Sequence, residues 1–320
     1  MSHCSLKIAV SKKELEVSNL RRIVRKILNR ARTSESVWRY GLNFFPSMNY
    51  KLGYATKFDS IVANLVRDLA SDGIAVSSVD ELAGEVGFFS NLETSVVKLL
   101  ANRQYELQRL KSKANDVEAI GDKTFNIELL ESQVTFDPES VFARFALQDT
   151  ILDIANAYFG MLAKLRYYNV WYTFATQSEA RESQLWHFDR EDNYILKIFL
   201  YLKDVDEGTG PLTYAPGTHR KGPHRNVQPE YFLEDHVRRT TDEQMAAVIP
   251  RESWFKAIGK KGTIVFADTR GYHKGGEART DDRLMYTCMF TSPASQSKRL
   301  LTFSDDIDSY NLTKKQRLAL

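Results

Sequence analysis

A helix-rich first half running into a β-barrel or jelly roll, an α+β fold with a mainly β core, is the architecture this sequence predicts. Three observations lead to it. Apolar residues recur at helical spacing as far as Gly160. Beyond that point, runs of aromatic and β-branched residues alternate with glycine- and proline-containing turns. The chain has 320 residues, 43% of them hydrophobic, which is enough to fill a sizeable core beneath such strands. No internal repeat or low-complexity tract interrupts the pattern.

The helical elements come first. Leu20, Ile23, Val24, Ile27 and Leu28 share one helix face, and Arg21, Arg22, Arg25, Lys26 and Arg30 fill the other. Such a basic amphipathic helix either packs on the domain with a solvated outer face or docks, through residues 20–32, on an anionic membrane surface or an acidic carrier. Asp59–Leu69 reads as a helix that stops at Ser71-Asp72-Gly73, and Ile74-Ala75-Val76 as a short strand. Leu92–Lys113 reads as one long charged helix. Asp137-Pro138-Glu139 reads as a helix start, with acids and a proline in the first turn. An apolar stripe from Val141 to Tyr158 follows, and Gly160 sits where that helix should end. Strands follow at Tyr168–Thr173, Tyr194–Leu202, Gly262–Ala267 and Leu284–Thr291. Gly208-Thr209-Gly210-Pro211 and Ala215-Pro216-Gly217 supply turns. The division expected is a helical extension over residues 1–54 and one compact β domain over 55–320.

Composition bounds the chemistry. A net charge of +3 with a pI near 8.6 is too small to imply nucleic acid. Two cysteines, Cys4 and Cys288, make neither a disulfide framework nor a zinc site. Residues 1–10 have no apolar signal core and no later run reaches membrane-span length, so the expected location is the cytoplasm.

The chemistry concentrates around Trp186-His187-Phe188-Asp189. On an extended segment, residues two apart point the same way, so His187 and Asp189 can share one ligand while Trp186 and Phe188 turn aside. Alone, a His-x-Asp pair is more often a surface turn. Here it is followed by the apolar strand Gly262–Asp268 and then by His273. Two histidines and a carboxylate on one face of an iron leave three positions open, enough for a bidentate cosubstrate and O2. A structural zinc site calls for four ligands, commonly with cysteine. Ten positions after His273, Arg283 opens a strand. A guanidinium there either grips a carboxylate through paired hydrogen bonds or merely flanks the strand with Arg279 and Asp282. Lys197 interrupts the run Tyr194–Leu200. It is a candidate second contact for that carboxylate, or a side chain reaching solvent from an edge strand.

Gln184–Asp189, Asp206-Glu207-Gly208-Thr209-Gly210-Pro211-Leu212, Ala215-Pro216-Gly217-Thr218-His219, His273 and Arg283, in this order, resemble the phytanoyl-CoA dioxygenase-like family of iron(II)- and 2-oxoglutarate-dependent oxygenases. The resemblance spans roughly residues 55–295 and is clearest over 165–292. It implies a double-stranded β-helix, with His187, Asp189 and His273 as metal ligands and Arg283 as the 2-oxoglutarate anchor. It also implies that Pro216–His219 is a structural turn, so that His219 is not a ligand, and that His224 and His236 lie in a surface loop or lid. The implied reaction uses iron(II), 2-oxoglutarate and O2, oxidises a C–H bond of a small-molecule substrate, and releases succinate and CO2. Halogenases of this fold carry a small residue where Asp189 stands, so hydroxylation or a related oxidation is expected. Residues 1–54 and the polar insert Arg220–Glu252 have no clear counterpart in the family, which leaves the substrate open. The alternative is a non-catalytic small-ligand-binding protein on the same barrel.

Overall fold

The computed structural model describes residues 34–55, 58–82, 86–114, 125–234, 237–304 and 310–320. The basic segment Leu20–Arg32, Cys4 and His236 fall outside them. Among the described residues the helices are α1 (Phe44–Gly53), α2 (Ser60–Ser71), α3 (Phe88–Asn102), α4 (Gln104–Lys113), α5 (Val141–Ala146), α6 (Asp149–Phe159), α7 (Asp242–Ala246) and α8 (Lys314–Ala319). The strands are β1 (Ile74–Ser78), β2 (Asn126–Glu128), β3 (Val134–Thr135), β4 (Lys164–Thr173), β5 (Leu196–Tyr201), β6 (Leu212–Tyr214), β7 (Phe232–Glu234), β8 (Val237–Arg239), β9 (Phe255–Lys256), β10 (Thr263–Asp268), β11 (His273–Gly275), β12 (Arg283–Thr291) and β13 (Leu301–Thr302).

Alternation along β12 explains the layering. All nine of its residues are buried, because both of its faces are covered. Leu284, Tyr286, Cys288 and Phe290 join the larger core with Phe145, Ile151 and Tyr158 from the helices. Met285, on the opposite face, packs with Phe199, Tyr201, Leu212 and Tyr214 in a second cluster inside the strands. Each fully buried aliphatic or aromatic side chain contributes on the order of 1.5–3 kcal/mol, so the face bearing helices fixes which face of β12 looks inward. The main sheet runs β1-β10-β5-β12-β4-β2, with every neighbour antiparallel. A smaller sheet, β11-β6-β9, is extended by the bridge between His187 and His273.

The helices follow their sequence signals, with three differences. Asp59 caps α2 by accepting from Val62 N at 2.8 Å, and Val62, Leu65 and Leu69 bury its apolar face. Gly160 ends α6 with φ 65°, a conformation glycine adopts at little cost. The long helix expected over Leu92–Lys113 begins earlier, at Phe88, and breaks at Arg103. There the guanidinium turns to Glu106 and to the Glu128 carbonyl, anchoring the break to β2. The stripe from Val141 to Tyr158 is likewise two helices, α5 and α6, separated at Leu147 and Gln148. Asp137 caps a turn rather than a helix: its carboxylate accepts from Glu139 N, and α5 starts only at Val141.

Residues 34–53 lie against the domain. The Trp38 indole N–H donates to Asp192 Oδ1 at 2.7 Å. Arg39 donates to the Phe159 carbonyl, and Asn43 accepts from Ala294 N. Among the described residues no helix is long and apolar enough to cross a membrane.

Candidate metal centre

Three side chains meet where the bridge between His187 and His273 extends the smaller sheet. His187, Asp189 and His273 each offer a ligand atom, and these atoms lie within 4.8 Å of one another. The backbone does the bringing together: His187 N donates to His273 O and His273 N to His187 O, both at 2.9 Å. Asp189 N is held by Thr269 O at 2.8 Å. Period-two alternation does the rest, since Trp186 is fully buried on the other side against Ala215, Met245 and Ile249. Phe188 packs edge-on against Tyr272 at 5.3 Å.

The histidine tautomers follow from their neighbours. His187 Nδ1 lies 2.8 Å from Leu185 O, and His273 Nδ1 lies 3.0 Å from Gly271 O. A carbonyl can only accept, so each Nδ1 carries the proton and donates it. Each Nε2 therefore keeps its lone pair. Burial pushes both imidazoles below their ordinary pKa, and for His187 the neighbouring His273 adds to the effect. Both imidazoles are neutral, and each is oriented by the hydrogen bond on its Nδ1, as a metal-binding histidine would need.

Asp189 is the charged member. Burial pushes its carboxyl up, but Lys197 and the two histidines outweigh that and hold it below the usual carboxylate range. Lys197 Nζ sits 2.6 Å from Asp189 Oδ2. Burial opposes the lysine's charge, and Asp189 more than compensates, raising it above its ordinary value. The edge-strand expectation for Lys197 is corrected here. Its strand β5 lies between β10 and β12, opposite Ala267 and Met289, so the ammonium has no route to solvent along an edge. It is anchored by a carboxylate, that of Asp189.

Inward from the triad is a cavity of about 280 Å³ lined by all three ligand residues, Lys197, Trp171 and Arg283. Arg283 is buried, not a surface residue flanking the strand. Its nearest acceptors are distant, Gly276 O and Thr173 Oγ1 at 3.4 Å each, and its Nε has no partner. Burial lowers the guanidinium to about 10, and no carboxylate pairs with it among the described residues. The Trp171 indole N–H, on the facing strand β4, is also buried without a partner. A buried cation and an unpaired donor on one cavity wall fit an anion between them. Close backbone packing shapes this wall: a Cβ on Gly276 would stand 2.5 Å from Gly210 C and Pro211 O.

The other histidines do different work. His219 is fully buried, with Nε2 3.2 Å from the Ala70 carbonyl, and it packs over Gly73, where a Cβ would meet its ring at 2.6 Å. His224 is exposed. Two residues of the site escape sequence reading. Trp171 and Thr173 reach Arg283 only through the β12–β4 register, which pairs Arg283 with Thr173 and Met285 with Trp171. Period-two alternation on β4 places both on one face, but nothing in the sequence says which strand that face meets.

Residues 82–285 match the sequence profile of the family described as phytanoyl-CoA dioxygenase. Among solved structures, EctD from S. alaskensis with bound iron aligns at 17% identity and TM-score 0.52, covering 79% of this chain and 85% of that one. EctD with 2-oxoglutarate and 5-hydroxyectoine aligns at 18% identity and TM-score 0.50, covering 78% and 83%. At such identities the likeness is one of fold. No curated protein sequence gives a significant match.

Proposed function

The chain belongs to the phytanoyl-CoA dioxygenase family, and from that premise we propose that it is an iron(II)- and 2-oxoglutarate-dependent oxygenase that hydroxylates, or otherwise oxidises, a C–H bond of a small molecule. In this reading the two sheets form a double-stranded β-helix around the cavity, and residues 1–54 are an extension whose described part, residues 34–54, closes part of its mouth. His187 Nε2, Asp189 and His273 Nε2 hold the metal, and Arg283 holds the distal carboxylate of 2-oxoglutarate.

One observation carries the reading. A neutral-histidine, charged-carboxylate triad and an unpaired buried guanidinium line the same cavity. The triad suits a divalent metal of borderline softness, and its three ligands leave part of the coordination sphere to other groups. When bound, iron(II) and 2-oxoglutarate would allow O2, the oxidant, to be used for C–H cleavage, one of its oxygen atoms passing to succinate as CO2 is lost and the other to the substrate.

The chain's own residues orient and screen. Leu185 O and Gly271 O fix the imidazole tautomers. Lys197 holds one oxygen of Asp189, so the carboxylate presents its other oxygen to a metal. Arg283 and Trp171 offer donors to a carboxylate deep in the cavity, and that fixes which way a keto acid enters. Because Asp189 fills the third ligand position, hydroxylation is favoured over halogenation. A non-catalytic binding protein on this fold is the alternative. Three converged ligands beside an anion site support the enzyme instead.

The test is anaerobic reconstitution. Adding iron(II) and 2-oxoglutarate together should produce a visible charge-transfer band that neither gives alone, and calorimetry should show 2-oxoglutarate binding. An iron-loaded protein that binds no 2-oxoglutarate would sink the proposal.

A further inference from the structure

Two chambers open beside the metal ligands. One, of about 690 Å³, is lined by His187, Asp189, Phe188 and Arg270. The second, of about 480 Å³, is lined by Phe188 and Arg270 again, and by Arg220, Arg225, Arg238 and Tyr272. Phe188 and Arg270 thus form a shared wall. Phe188 comes from the ligand segment itself, and Arg220, Arg225 and Arg238 come from the polar insert that follows the Ala215-Pro216-Gly217 turn.

The charge balance here is one-sided. Arg190, Arg225, Arg238 and Arg270 have no carboxylate side-chain partner among the described residues. Arg270 donates to the Asp189 carbonyl at 2.7 Å and lies 5.2 Å from the Phe188 ring, while its Nε is buried without a partner. Arg190 lies over the same ring at 5.2 Å, and Arg238 over Tyr231 at 4.4 Å. Glu35, the acid lining the second chamber, is already engaged by Arg39 and by the Tyr194 hydroxyl. In the first chamber Asp192 takes donors from Trp38, Asn193 and Ser292, and Glu191 takes the Arg190 N–H. A chain with a net charge of only +3 has gathered arginines around one concavity. Like charges so placed repel unless an anion lies between them.

We propose that the second chamber binds a phosphoryl group of the substrate through Arg225, Arg238 and Arg270, while the carbon to be oxidised lies in the adjoining chamber beside His187 and Asp189. This rests on the oxygenase reading for the role of the first chamber alone. Phosphoryl is preferred to carboxylate because several guanidinium groups line the one chamber. One fork satisfies both oxygens of a carboxylate, whereas a phosphoryl group offers three terminal oxygens and up to two charges. A nucleic-acid backbone is a poor fit, because the arginines line one concavity rather than track along a surface.

The probe is inorganic phosphate, titrated calorimetrically into the full-length protein, with acetate as the carboxylate comparator. Wild type should bind phosphate saturably in the millimolar range and more tightly than acetate. Arg225→Gln/Arg238→Gln, which alters two exposed side chains, should weaken phosphate at least tenfold. Arg67→Gln, an exposed arginine of α2 that lines neither chamber, should leave phosphate affinity within twofold. Absent saturable binding, a double variant that binds like wild type, or an equal loss in Arg67→Gln would each overturn the proposal. Succinate release is then screened against phosphorylated compounds and their dephosphorylated counterparts. Stimulation by a phosphorylated member, with its KM raised in the double variant, identifies the phosphoryl group as the substrate's own. Stimulation by dephosphorylated members alone refutes that. Phosphate binding needs no metal, so it can fail while 2-oxoglutarate binding stands, and the reverse.

Discussion

The interior of this protein has two ends built on different terms. At the deep end, His187, Asp189, His273 and Arg283 all fall inside the family-matched segment 82–285, and backbone pairing or an ion pair fixes the metal-side residues. At the mouth, the wall is assembled from pieces outside that segment: Trp38 and Leu42 before it, Ala294–Ser297 after it, joined by the hydrogen bond from Ala294 N to Asn43. The arginine-rich insert, which lies inside that segment, adds a third piece. The difference teaches where constraint sits. A metal and a small keto acid are the same in every turnover and need one geometry. A substrate differs from one enzyme to another, and the walls that receive it are commonly built from loops.

The largest test of that division is at the deep end. His187→Ala removes a ligand without leaving a buried charge behind, so the fold should persist while 2-oxoglutarate-dependent succinate release falls by more than about 100-fold. Circular dichroism and a turnover assay read the two outcomes separately. Residual turnover above a tenth of wild type would mean that the deep end is not the catalytic end.

Lys197→Met comes next. It keeps the side chain's bulk but strands the Asp189 carboxylate, and removing one partner of a buried pair costs about 3–5 kcal/mol. Denaturant unfolding of metal-free protein should show that loss. Saturating manganese(II) should recover most of it, because the cation replaces the ammonium as the counter-charge. The metal-induced rise in Tm should therefore be larger in the variant than in wild type. An equal rise in both would show that Lys197 does not act through Asp189.

The two ends were not equally legible in the sequence. His187 and Asp189 could be paired from alternation alone, because two residues apart on an extended segment is a local geometric fact. His273 and Arg283 took their roles from the family resemblance, since spacing alone left Arg283 open between a carboxylate anchor and a residue flanking its strand, and Gly160 followed from the need for a left-handed helix stop. What stayed hidden were facts of pairing. The carboxylate that faces Lys197, the strand that brings Trp171 to Arg283, and the breaks at Arg103 and Leu147 all depend on contacts between residues distant in sequence. The mouth was least legible, since Trp38, Asp192 and Ser292 meet across 154 and 100 positions, and no periodicity encodes such a meeting.

Arg283→Gln sharpens the comparison from within the cavity. Hydrogen bonds to a charged group contribute about 1.5–3 kcal/mol each, so the KM for 2-oxoglutarate should rise about 10- to 100-fold with a smaller change in kcat. Calorimetry on iron-loaded protein checks the same loss as affinity. A fall in kcat with KM unchanged would remove Arg283 from cosubstrate binding and leave the unpaired guanidinium to another anion.

Trp38→Phe has the smallest expected effect and probes whether the ends are separable. Phenylalanine keeps the ring against Tyr194, which Trp38 meets edge-on at 5.1 Å, and deletes only the donor to Asp192. That carboxylate also holds Asn193 N and Ser292 N, so the change removes one of the ties joining the extension, the ligand loop and the segment after β12. The loss should be about 1.5 kcal/mol, seen as a fall of roughly 2–4 °C in Tm. The affinity for 2-oxoglutarate should stay within twofold, because no link of the deep cavity passes through Trp38. If that affinity instead weakened as much as in Arg283→Gln, the mouth would be part of the cosubstrate site, and the division between an invariant floor and a variable wall would fail.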